Sequence, residues 1–149
     1  MIKTGEVSTR AVRRVRSQGL TISESPDSSM PVLPEDITAI SPEEVMQLFS
    51  EVCSWLDYVE VQYAAAQIDH KAEDQKLEET EAKEQIKHRS EKHVSVMKAF
   101  TYDNPQVEAQ RREALMAYAH EKMLGTVYNS LERKKFLLSR ELTRRSYGD

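Results

Sequence analysis

The sequence predicts an all-α fold, a long antiparallel helical hairpin of coiled-coil type that follows a disordered N-terminal arm, and three observations carry it. Between Ser41 and Met97 there is no glycine, and no proline after Pro42, so the turns that a strand-rich fold needs at intervals of about 8–12 residues are missing. Two stretches repeat apolar residues at helical spacing, and one strong break, Tyr102-Asp103-Asn104-Pro105, separates them. Composition agrees: 31% of the 149 residues are charged and only 4 are glycine and 5 proline, which suits surface-rich helices in a single domain of ordinary size.

Residues 1–40 read as a flexible arm. Its start is basic, with Lys3, Arg10, Arg13, Arg14 and Arg16 against Glu6, and is expected to form a helix only on a partner. A Ser/Pro-rich stretch with Pro26, Pro31 and Pro34 follows and lacks sustained periodicity.

The first long helix is expected from residue 42 to about 92. Ser41-Pro42-Glu43-Glu44 places a cap serine, a proline at the first helical position and a glutamate three residues after the cap, the capping-box pattern. Leu48, Val52, Trp55 and Leu56 lie on its apolar face, which thins beyond Ile68 into an acid- and Lys-rich run. Residues 94–104 form a short helix or turn. The second long helix then runs from 105 to about 145, with Pro105 just inside its start and Gly125 as a soft spot.

On a wheel of about 100° per residue, Met116, Met123, Val127, Leu131, Leu138 and Leu142 fall in one apolar sector. Trp55, Leu56, Met116 and Met123 are therefore expected in the core. Leu115, Phe136 and Leu137 lie off the stripe, and their exposure predicts homo-oligomerisation.

The formal charge of −4 is unevenly spread: the first 16 residues are net positive, residues 17–86 strongly negative, and the remainder positive. Arg111, Lys122, Arg133 and Arg144, spaced by 11 residues, drift only about 20° per step and with Arg140 face away from the apolar stripe. If the hairpin turns near residue 99, Arg133 to Arg145 face residues 53–65, which offer only Asp57 and Glu60. Arg133, Lys135, Arg140, Arg144 and Arg145, with Arg13, Arg14 and Arg16 of the arm, are thus the candidate contacts for sequence-independent phosphate binding. Tyr128, Phe136 and Tyr147 are candidate base-stacking partners.

Catalytic signatures are missing. Cys53 stands alone and fits a half-buried structural thiol, which requires no oxidising compartment. His88 and His93 do not share a helical face, His70 and His120 have no obvious partner, and all four histidines read as solvated, so no metal is expected. The carboxylates of residues 69–84 are spaced like a wetted helix surface, and no glycine-rich phosphate loop occurs. These features point to a non-enzyme without cofactors. Neither a signal-like apolar run nor a membrane span is present, so a soluble intracellular protein is expected.

Two segments resemble phage recombination mediators of the UvsY-like kind. One is Leu48-Phe49-Ser50-Glu51-Val52-Cys53-Ser54-Trp55-Leu56, and the other is Tyr128-Asn129-Ser130-Leu131-Glu132-Arg133-Lys134-Lys135 with Ser139-Arg140. The resemblance implies a helical oligomer in the (host) cytoplasm that binds single-stranded DNA and a recombinase or replication protein. The expected function is a non-enzymatic accessory protein that bridges single-stranded nucleic acid to such a partner. The alternative is a structural or scaffolding coiled coil of a virion or other multi-subunit assembly, in which the charges set register and solubility.

Overall fold

A computed structural model describes residues 5–89 and 93–148. It is all-helical among those residues: α1 (Glu6–Ser17), α2 (Pro42–Lys87), α3 (Val94–Tyr102) and α4 (Pro105–Ser146). α2 ends at Lys87, with His88 and Arg89 in a turn, short of the expected end at about 92; residues 90–92 lie outside the described residues.

The helix starts follow from their caps. Ser41 Oγ accepts from the Glu44 N–H at 3.2 Å, and a Glu44 carboxylate oxygen accepts from the Ser41 N–H at 2.9 Å, closing the capping box. Hydrogen bonding to the carboxyl from the Ser41 backbone, and then from its side chain, holds Glu44 below its ordinary range. At α4, Asn104 Oδ1 accepts from the N–H groups of Gln106 (2.8 Å) and Val107 (3.2 Å), with Pro105 at the first helical position.

Packing divides the chain into two compact units, one of Met1–Ala11 and Ala65–Lys122, the other of Val12–Ala64 and Met123–Asp149. The two long helices run antiparallel within each. In the second unit the core is apolar. Val45, Val52, Leu56, Val59, Leu131 and Leu138 are buried, and Leu48, Phe49, Trp55, Val127, Tyr128 and Leu142 pack partly buried against them. Gly125 is a seat rather than a soft spot, because a Cβ there would meet the Tyr63 ring at 3.2 Å.

The first unit has small and polar contents. Ala65, Ala66, Val107 and Ala114 are buried together with the polar Ser8, Glu84 and Thr101. His70 lies between Glu121 Oε2 on its Nδ1 side and Asp74 Oδ2, 3.1 Å from its Nε2. Gln110 Nε2 donates to Glu73 Oε2 at 2.7 Å. Burial works against ionisation of Glu73, but hydrogen bonds from Lys76 and Gln110 outweigh it and hold its carboxyl below the ordinary range. The apolar pattern thins after Ile68 because polar pairs replace apolar contacts here, while the helix continues.

Four expectations are corrected. The arm is structured over much of its length: α1 forms within it, and its first turn is anchored where the Gly5 N–H donates to Asp69 Oδ2 at 2.8 Å. Met116 and Met123 are each 65% exposed and stand outside the core. The register is displaced by roughly two helical turns from a pivot at residue 99, since Glu121 meets His70 and Tyr128 meets Tyr63. Three histidines are not simply solvated: His70 lies between the Asp74 and Glu121 carboxylates, His88 stacks on Phe100 with ring centroids 5.0 Å apart, and His120 Nε2 is buried.

Candidate nucleic-acid interface

The second unit carries the two basic surfaces. On α1, Val12 and Val15 are half-buried, while Arg13, Arg14 and Arg16 are exposed on the other faces of the turn. Arg16 approaches Glu24 at 3.9 Å, and both side chains remain largely in solvent, where such a pair contributes little.

The second surface is built on the last four turns of α4. Packing of Leu131, Leu138 and Leu142 against the apolar core turns Arg133, Phe136, Leu137 and Arg140 outward. Phe136 is 60% and Leu137 48% exposed. The Arg140 guanidinium stands 5.6 Å from the Phe136 ring centroid, a cation–π distance. An open groove of about 380 Å³ is lined by Glu132, Arg133, Phe136 and Leu137. A second, of about 290 Å³, is lined by Ile37, Leu137, Arg140, Glu141 and Arg144. Leu137 is their common wall. An exposed ring flanked by guanidinium groups can stack a planar base while the cations meet phosphate oxygens.

Not every expected cation joins this surface. Arg145 faces inward and donates to the backbone carbonyls of Ile37 (3.1 Å), Thr38 (3.4 Å) and Ile40 (2.8 Å). Its Nε also donates to Glu141 at 2.7 Å. Arg144 makes a two-pronged contact with Glu141 at 2.8 and 2.7 Å, so its guanidinium is already engaged, although its side chain is exposed and the same carboxylate also serves Arg145. Lys134 Nζ donates to the Pro31 carbonyl at 2.9 Å. Lys134 and Arg145 clamp residues 31–40 onto α4. Arg144 and Arg145 thus leave the set of candidate contacts, which retains Arg133, Arg140 and the half-buried Lys135 with Arg13, Arg14 and Arg16.

The earlier part of the expected basic stripe is also engaged. Arg111 stacks over the Tyr102 ring at 4.2 Å and approaches Glu81 at 4.0 Å, and Lys122 stands over the Tyr118 ring at 5.4 Å. Among the aromatic candidates, Tyr128 is turned onto Tyr63 with centroids 5.8 Å apart, whereas Phe136 and Tyr147 are exposed. Glu141, one of the two acids that the sequence sets against the local cations, binds both Arg144 and Arg145; its spacing three and four residues before them is the signal for it.

Glu141 links this clamp to pH. Hydrogen bonds from Arg144 and then Arg145 pull its carboxyl from the ordinary 4.5 to about 2. A depressed carboxylate contributes stability that is present above its unfolded-state value and lost as pH falls through the folded one. The melting temperature of Glu141→Gln is therefore expected below that of the unsubstituted protein at pH 7, with the gap closing between pH 4.5 and about 2. A gap independent of pH in thermal melts would remove the clamp's ionic character.

Among the described residues no group of three or more His, Cys, Asp or Glu side chains is arranged to hold a metal ion, and no helix is long and apolar enough to cross a membrane. No protein-family model matches the chain, and neither a curated protein nor a solved structure matches it.

Proposed function

We propose that this chain is a non-enzymatic accessory protein that binds single-stranded nucleic acid without sequence preference and presents it to a recombination or replication partner. The observation that carries this function is the outward-facing set Arg133, Phe136, Leu137 and Arg140, in which a half-exposed aromatic ring lies beside guanidinium groups. Single strands offer both a phosphate backbone for the cations and unpaired base faces for the ring, whereas a duplex offers only the first. The exposed Arg13, Arg14 and Arg16 supply a second phosphate-binding surface. The bridging role and the recombinase-type partner rest on the sequence resemblance to recombination mediators, with the helical hairpin as a compatible frame.

Phe136→Ala tests the stacking half of this function without touching a buried residue. A stacked base contributes about 1–3 kcal/mol, so the variant is expected to bind a fluorescein-labelled oligothymidylate roughly 5- to 150-fold more weakly by anisotropy. Equal affinity of the folded variant would remove Phe136 from the interface.

A further inference from the structure

The second unit also carries a groove of the opposite charge. Its walls are Pro34, Ile40, Glu44, Gln47, Leu48 and Glu51, and it is open and about 320 Å³ in volume. Pro34 and Ile40 are brought to α2 by the segment that Arg145 clamps at the Ile37, Thr38 and Ile40 carbonyls. Glu44 and Glu51 flank Leu48 on one face of α2, two helical turns or about 10.5 Å apart. A Glu44 carboxylate oxygen accepts from the Ser41 N–H at 2.9 Å, and Glu51 accepts from Gln47 at 3.0 Å.

The outward face of α4 has the same spacing with the charges reversed. Arg133 and Arg140 are also two turns apart and flank the exposed pair Phe136 and Leu137. We propose that the acidic groove of one copy receives the Arg133–Arg140 face of α4 from a second copy. Phe136 and Leu137 then seat over Leu48, Ile40 and Pro34, and the two arginines meet Glu44 and Glu51. Matched spacing lets both charge pairs form together around an apolar centre, the arrangement that gives a helix contact both register and partner choice.

The two surfaces differ, so the contact is heterologous and each pair still offers one free groove and one free ridge. Association therefore extends beyond a dimer as concentration rises. The contact is small and charge-rimmed, which places it among weak, salt-sensitive interfaces. It does not depend on the nucleic-acid function. A strand and a second copy would compete for Arg133 and Arg140, while Arg13, Arg14 and Arg16 remain outside the contact.

Sedimentation equilibrium of the full chain without nucleic acid, from micromolar to submillimolar concentration, tests this. The unsubstituted protein is expected to associate, and Glu51→Lys and the double variant Arg133→Glu/Arg140→Glu are each expected to remain monomeric over the same range. Mixing the two variants restores one native groove against one native ridge and is expected to regain a dimer. Circular dichroism and the emission of Trp55, the single tryptophan, verify folding. If the double variant does not fold, Arg133→Gln/Arg140→Gln replaces it. A monomeric unsubstituted protein, association that survives either substitution, or two monomeric variants that do not recombine would each overturn the contact.

Discussion

Leu138→Asp is expected to unfold the second unit. Leu138 is fully buried against Leu131 and the valines of α2, so the substitution removes the leucine's apolar contacts and places a carboxylate where no partner exists. Loss of a buried leucine costs about 2–5 kcal/mol, and enclosing an unpaired polar group adds further. Their sum reaches the whole stability of an ordinary domain, about 5–15 kcal/mol. The neighbouring Leu137 is 48% exposed, and Leu137→Asp should leave the fold in place. The pair of variants therefore separates the inner face of α4 from its outer face within one residue step. Thermal melts followed by Trp55 emission, which reports on this unit, are expected to show no cooperative transition for Leu138→Asp and a near-normal one for Leu137→Asp. Similar melts for both would contradict the placement of α4.

The second large effect is on binding. Arg133→Glu/Arg140→Glu converts the two cations beside Phe136 into anions while the buried stripe of α4 stays intact. Each lost phosphate contact on a single strand lowers the salt slope of the affinity by about 0.7, so about 1.4 is expected to disappear. Affinity for oligothymidylate should fall on the order of tenfold or more at low salt. Arg145→Gln is a different case, since Arg145 holds the Ile37–Ile40 backbone rather than facing solvent, and its first effect is on stability. Anisotropy of all three proteins distinguishes these roles. A double variant that binds as tightly as the parent would dissociate α4 from nucleic-acid recognition.

Much of the helical frame is legible in the sequence, because caps and apolar spacing are local signals. Ser41 and Asn104 occupy the caps that their neighbours Pro42 and Pro105 announce. The eight expected core positions Leu48, Val52, Trp55, Leu56, Val127, Leu131, Leu138 and Leu142 all belong to the apolar cluster. Met116 and Met123 were misplaced by the geometry of the wheel. The buried positions of α4 recur in sevens, as in Val107 and Ala114 or Leu131 and Leu138, and a straight-helix projection drifts about 20° per seven residues from that repeat. Counted in sevens, Met116 and Met123 stand in line with the exposed Leu137 rather than with the buried Leu138.

The pairing register is a non-local property. In the first unit it is set by polar pairs such as His70 with Glu121 and Glu73 with Gln110, which carry no apolar periodicity to align. The docking of residues 31–40 is likewise hidden. It uses the carbonyls of Pro31, Ile37, Thr38 and Ile40, groups that every residue has, so only the three-dimensional placement of Lys134 and Arg145 reveals it. The same placement separates the cations that hold the protein together from those available to a partner.

The salt dependence of oligothymidylate binding by the full chain is the most direct measurement. Six cations, Arg13, Arg14, Arg16, Arg133, Lys135 and Arg140, can meet phosphates, and at about 0.7 per contact they set an upper bound near −4 on the slope of log affinity against log salt. Tight binding at low salt that weakens along a slope of about −3 to −4 is the predicted result. No binding at low salt, or affinity indifferent to salt, would contradict the proposed function.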